Sequence, residues 1–340
     1  MKLLRLNWNQ RNFKALNECL VGVRSGELAV FDWDNTCICG DIGEALLRHL
    51  TLNLAFRIDA KGMAATIPDV INGVGHVIFN GKPFSIKKMK HALFLAYAKL
   101  KTDVSPADRA RIDENYRIFT SGLLALNRAL EETPGIGCEF AYPWVNTLLQ
   151  GLSPVEFDEM AAAVIRRELQ EPLRRHAVCD PLKRWRYDWT SGLRLYPEMK
   201  DLAARWQERG GNVVVSTASN QALVEKMTAM TGFTCRQVIG MALTMENGRF
   251  VAGLQAGILP NLGSGKVANI GRKLGQEPVL AAGDSDNDAE MLNSFPSTRL
   301  RLIIQHPGGG KIKALARKAL AGEPGYLLQG TDRRLGKFTS

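Results

Sequence analysis

The chain has no apolar run of the roughly 18 residues that a membrane-crossing helix needs. Its opening MKLLRLNWNQRNFK places charged and polar residues where a secretion signal would carry an apolar stretch. Cysteine is sparse: Cys19, Cys37, Cys39, Cys138, Cys179 and Cys235 form no CxxC pair, and the chain is too long for a disulfide scaffold. They read as reduced, mostly buried thiols. Only 5 histidines occur, and no His or Cys cluster is available to a soft metal. Internal repeats and low-complexity tracts are lacking as well. These absences together point to a cytoplasmic globular protein with no membrane span.

What is present begins with length. At 340 residues, 45% hydrophobic and 23% charged, the chain exceeds the usual size of one domain and has an ordinary globular composition. Two domains, or one with a large insertion, are expected. Net charge is +10, but the basic residues are dispersed apart from RRELQEPLRRH (166–176), KIKALARK (311–318) and the closing TDRRLGKFTS. That pattern favours a solvated face, or a field attracting small phosphorylated substrates, over a nucleic-acid site. No pattern specifies an oligomer.

GELAVFDWD reads as a buried strand of the kind found in parallel sheets covered on both sides. From about Asp41 to Asp188 the signals are mainly helical. In SIKKMKHALFLAYAKLK the apolar residues Ile86, Met89, Leu93, Tyr97 and Leu100 recur at three- and four-residue steps, and NYRIFTSGLLALNRALEE and PVEFDEMAAAVIRREL behave alike. After Tyr196 strand and helix alternate: the helix PEMKDLAARWQERGG, the strand NVVVST, the helix NQALVEKMTAM and the strand QVIGMAL. A hairpin turn in MENGRFV, a helix from about Lys266, the strand PVLAAGD, the helix DAEMLNSF and the strand RLRLIIQ follow. The expected fold class is α/β, a Rossmann-like parallel sheet with an inserted, mainly helical cap. The core is placed at residues 1–36 and 193–340 and the cap at 37–192.

In open α/β sheets the active site lies at the carboxyl ends of the strands. Those ends carry Asp32 and Asp34, then Ser216 and Thr217, then Asp284, with Asp288 just beyond. Capping explains Asp286 or Asn287 before DAEMLNSF and Ser219 or Asn220 after Thr217. It does not explain acids after separate apolar strands. Crowded carboxylates repel one another, and a hard divalent cation such as Mg²⁺ resolves the conflict. Lys266 could set an ammonium beside them, and a phosphate would then meet metal, lysine, a hydroxyl and a helix N-terminus. Two other motifs fail on their neighbours. GSGK at 263–266 lacks the P-loop's Gly and its Ser or Thr, having Pro260 and Val267 there, and GSGKVA as a dinucleotide fingerprint follows a poor strand.

FDWDNT, the VVVSTAS strand end, Lys266 and GDSDND, in this order, resemble the four motifs of the haloacid dehalogenase superfamily. The resemblance covers the α/β core at both ends of the chain. It implies that Asp32 attacks phosphorus to form an aspartyl-phosphate, and that Asp34 protonates the leaving group and then activates water. It also implies that Asp32, the backbone carbonyl of Asp34 and Asp284 bind Mg²⁺, with Asp288 in support. Thr217, with Ala218 and Ser219 beside it, is the first choice for binding phosphate, and Ser216 the other. An Asp two places after the nucleophile is similar to phosphatases and phosphomutases.

The helical insertion resembles the cap of the phosphoserine phosphatase-like branch, where an acid nine places after the nucleophile meets a substrate ammonium. Asp41 holds that place, with Glu44 as the fallback, and a helix cap is the competing role for Asp41. The enlarged cap is similar in layout to phosphorylcholine phosphatase-like members. Trp144, Trp185, Tyr187 and Trp189 could surround a quaternary ammonium or pack in the core. The expected activity is a Mg²⁺-dependent phosphomonoesterase acting on a small phosphorylated alcohol such as phosphocholine, phosphoethanolamine or phosphoserine. The alternatives are a phosphotransferase, or a non-catalytic module binding nucleic acid or anionic lipid through its basic surface.

Overall fold

The computed structural model describes residues 2–79, 81–101, 114–305 and 309–340. Its centre follows from the run Leu28–Phe31, four apolar residues that are all buried. Side chains alternate along a strand. Leu28 and Val30 therefore pack with Val214, Ile239, Ile270 and Met291 on one face. Ala29 and Phe31 pack with Val213, Val215, Trp206 and Ala282 on the other. A strand apolar on both faces belongs in the middle of a covered sheet, and this one sits between Pro278–Gly283 and Asn212–Asn220, parallel to both.

Among the described residues this sheet has seven strands. Their order is Lys337–Thr339, Tyr326–Asp332, Leu300–Ile304, Pro278–Gly283, Leu28–Phe31, Asn212–Asn220 and Gln237–Met241. All neighbours are parallel except the edge pair Lys337–Thr339 with Tyr326–Asp332. The α/β class and the alternation after Tyr196 are thus borne out. Met245 and Glu246 pair antiparallel with Phe250 and Arg249 around Asn247 and Gly248, both at positive φ, as the Asn-Gly turn predicts.

The outgoing and returning chains of the insertion run side by side, because Ile38–Cys39 pairs antiparallel with Arg194–Leu195. Between them lie helices at Ile42–Leu52, Ile86–Lys101, Glu114–Glu132, Cys138–Thr147 and Pro154–Gln170. Of the predicted stripe, Ile86, Met89, Leu93 and Tyr97 are buried and Leu100 is half-buried. Ser153 and Glu156 form a reciprocal capping box at the start of Pro154–Gln170.

Two hairpins depart from the helical expectation, His76–Phe79 with Lys82–Ser85 and Arg174–Cys179 with Arg186–Ser191. In the second, Tyr187 and Ser191 turn inward while Arg186, Asp188 and Thr190 are exposed, a period of two hidden in a segment of mixed polarity. The last residues, read only as a basic tail, instead complete the sheet, with Phe338 packed on Tyr196 at a ring separation of 4.3 Å. No helix among the described residues is long and apolar enough to cross a membrane.

Candidate active site

Adjacent parallel strands bring their carboxyl ends to one edge, and the backbone N–H of Asp32 still donates to the Ala282 carbonyl at 2.9 Å. Asp32 and Asp284 therefore emerge side by side. A short 3₁₀ turn, Asp286–Asp288, brings Asp288 back beneath them. Carboxylate oxygens of Asp32, Asp284 and Asp288 lie within 4.8 Å of one another, and all three residues are buried. Gly283 makes the return possible: a Cβ there would stand 2.4 Å from the Asp288 Cβ.

Lys266 is only 1% exposed, which excludes a solvated helix start. Its Nζ donates at 2.6 Å to Asp32 Oδ1 and at 2.6 Å to Asp288 Oδ1. Burial opposes its charge, yet the carboxylates of Asp288 and Asp32 outweigh that and raise its pKa above the ordinary lysine value. Asp288 Oδ2 accepts from the backbone N–H groups of Asp284 and Ser285 and from Ser285 Oγ at 2.9 to 3.1 Å.

Asp34 faces a different set. Its Oδ1 accepts from the Ile42 N–H at 2.8 Å and its Oδ2 from Ser219 Oγ at 2.7 Å, with Thr217 Oγ1 at 3.5 Å. Alternation along the strand turns Ser216 the other way, where its Oγ accepts from Asn261 Nδ2 at 3.1 Å. Thr217 thus stands on the Asp34 side, Ala218 and Ser219 line the cavity, and Asn220 caps the following helix through the Leu223 N–H. Asp286 caps a helix other than the expected one. Its Oδ1 accepts from the Ile312 N–H of Lys311–Leu320, because the chain turns sharply at 286–288.

The site opens into a cavity of about 690 Å³ whose roof is the insertion. Asp41 takes the competing role of a helix cap for Ile42–Leu52, through the Glu44 N–H at 2.7 Å, and it also lines the cavity. Glu44 is held by Arg48 at 3.4 Å and Arg128 at 3.8 Å. Of the four aromatics, Trp144 and Trp185 are buried core residues bonded to Thr66 and Ser121. Arg128 covers the Tyr187 ring at 4.6 Å. Trp189 alone of the four lines the cavity, and it stacks with both His176 and Tyr187.

Four contributors escaped sequence reasoning. Thr36 Oγ1 donates to Asp284 Oδ1 at 3.2 Å, and its signal was its place inside FDWDNT. Asn261 joins Ser216, the Thr217 carbonyl and the Ile239 carbonyl through one amide, with no local pattern to announce it. Glu131 and Asn127 reach the cavity from a helix that looked like ordinary packing.

The electrostatics test the fit of a cation. Burial, then repulsion from Asp288, pushes Asp32 up to about 7 against the pull of Lys266. Burial, then Asp288 and Asp32, lifts Asp284 well above the carboxylate range. Three buried carboxylates against one ammonium leave an excess of negative charge among oxygen donors. That donor set suits Mg²⁺, which would relieve the repulsion.

Comparison with known proteins agrees with this geometry. The haloacid dehalogenase-like hydrolase family matches residues 121–293, which is 173 of the 340 positions. No curated protein matches the chain. A conserved functionally unknown protein from Anaerococcus prevotii DSM 20548 is similar over 100% of this chain and 97% of its own, at 25% identity and a TM-score of 0.86. A protein with unknown function from Bordetella pertussis Tohama I is similar over 91% of this chain and 100% of its own, at 15% identity and a TM-score of 0.50. With the family matched over half the sequence, on a sheet that ends in FDWDNT and GDSDND, the chain belongs to the haloacid dehalogenase-like hydrolases.

Proposed function

We propose that the protein is a Mg²⁺-dependent phosphomonoesterase acting on a small phosphorylated alcohol through an aspartyl-phosphate on Asp32. The observation that carries this is the unequal treatment of two carboxyls in one motif. Asp32 has the Lys266 ammonium at 2.6 Å. Asp34 has no ion-pair partner among the described residues, and burial, then Asp41 and Asp32, holds its pKa well above the carboxylate range. Both carboxyls are raised, but Asp32 keeps a cation beside it that Asp34 lacks, which suits Asp32 to attack and Asp34 to carry a proton.

In this reading an Asp32 oxygen attacks phosphorus as the bond to the alcohol oxygen breaks, and Asp34 gives that oxygen its proton. Asp34 then takes a proton from water, whose oxygen attacks the acyl phosphate and releases inorganic phosphate. Ser219 Oγ and the Ile42 N–H hold Asp34 in place throughout. Asp32, the backbone carbonyl of Asp34 and Asp284, with Asp288 in support, would hold Mg²⁺, whose charge would stabilise the phosphate oxygens. Free cysteines throughout the described residues support a reducing, cytoplasmic setting.

The test is steady-state hydrolysis of p-nitrophenyl phosphate with Mg²⁺. Wild type is expected to turn over and to lose activity on chelation, and Asp32→Asn to fall roughly a thousandfold or more. Equal rates for the two proteins would overturn the mechanism. Added alcohols that capture the phosphoryl group would reassign the enzyme as a transferase.

A further inference from the structure

In the insertion, the Glu114–Glu132 helix turns Asn127 and Glu131 onto one face, one helical turn apart, and both line the cavity that Asp32 and Asp34 also line. Asn127 is 5% exposed. Its Nδ2 donates to Glu131 Oε1 at 2.7 Å, and its Oδ1 is buried without a hydrogen-bond partner. Among the described residues no Lys, Arg or His forms an ion pair with Glu131 or with Asp41 across the cavity, whereas Glu44 has two arginines. Burial, then Glu44 and Asp41, pushes Glu131 up to about 8 against the pull of Arg128, and although Arg48, Arg128, Arg175 and Arg333 line the same cavity, none of them is ion-paired to Glu131.

An orphaned buried acceptor beside an unpaired carboxyl calls for a ligand that brings both N–H donors and positive charge. A trimethylammonium group has charge and no donors. Of the aromatics weighed for such a cage, Trp144 and Trp185 do not reach the cavity, Arg128 lies over Tyr187, and Trp189 stacks with both His176 and Tyr187. Resting on the phosphomonoesterase reading, we infer that Asn127 and Glu131 form a subsite for a primary ammonium group on the leaving alcohol, selecting such esters over trimethylammonium and neutral ones.

The experiment compares 2-aminoethyl phosphate, phosphocholine and propyl phosphate, with p-nitrophenyl phosphate as the measure of phosphatase chemistry itself. Charge-assisted hydrogen bonds predict that wild type prefers the primary amine by about tenfold or more in kcat/KM. In Glu131→Gln that preference is expected to shrink to about twofold, mainly through KM, and in Glu131→Asp to return in part. Circular dichroism reports whether each variant is folded, and Asn127→Leu supplies an independent loss of the acceptor. Hydrolysis of p-nitrophenyl phosphate with no preference for the amine overturns the subsite and leaves the phosphatase intact. A preference that survives both Glu131→Gln and Asn127→Leu also overturns it. If no ester is hydrolysed, the phosphatase reading fails, and calorimetry on wild type still decides. Tighter binding of 2-aminoethyl phosphate than of propyl phosphate by about tenfold supports the subsite, and equal binding overturns it.

Discussion

The floor and the roof of the cavity are both acidic, and they handle acid in opposite ways. On the floor, Asp32 and Asp288 share one lysine at 2.6 Å and Asp288 takes three further hydrogen bonds. On the roof, Asp41 is bonded as a helix cap, while Glu131 rests on an asparagine whose other atom has no partner. Tight mutual bonding fixes groups that must meet a reacting atom within tenths of an ångström. Loose satisfaction leaves groups ready to accept something from outside. Under the proposed function, the contrast separates groups that would do chemistry from groups that would select a substrate.

Removing one partner from the floor should have large effects. Asp34→Asn is expected to lower hydrolysis of an alkyl phosphate by roughly a hundredfold or more, because an alkoxide cannot leave unprotonated. The loss with p-nitrophenyl phosphate, whose leaving group needs no proton, should be much smaller, and equal losses in a leaving-group series would remove Asp34 from the acid role. Lys266→Met strands Asp32 and Asp288 in a buried site and should destabilise the fold by about 3 kcal/mol in urea unfolding. A stability within about 0.5 kcal/mol of wild type would show that the floor is not held by its ion pairs. Gly283→Ala drives a methyl into Asp288 and should cost about 2 kcal/mol.

The roof should respond weakly and with a pH signature. Glu131 titrates at about 8 when folded against an ordinary 4.5. The folded state therefore binds this proton more tightly. Its contribution to stability is fully present below about 4.5 and is lost as pH rises through about 8. Glu131→Gln, which cannot ionise, should match wild type at acid pH and exceed it by about 1 kcal/mol near pH 9, discounting for partial solvation. Identical pH profiles by thermal melting would show that Glu131 is not desolvated.

Much of the core was legible because its determinants are local. Leu28–Phe31 is apolar on both faces, so it had to be a central strand, and the acids after it had to reach the sheet's carboxyl edge. The hairpin bearing Tyr187 and Trp189 was not legible, since its alternation lies among arginines that suit a helix surface equally well. The edge strand Lys337–Thr339 was hidden too, in a segment whose only long-range signal is Phe338.

By itself the sequence determined the α/β class, the strand ends that bear Asp32, Asp34, Thr217 and Asp284, and the resemblance of four motifs in order. Periodicity and apolar runs act over a few residues, so they survive without tertiary contacts. Only the tertiary structure decided which oxygens face each other. It buried Lys266 between two carboxylates, turned Thr217 toward Asp34 and Ser216 away, and brought Asn127 and Glu131 into the lining of the same cavity. Those relations join residues from distant parts of the chain, and only their packing brings them within hydrogen-bond range.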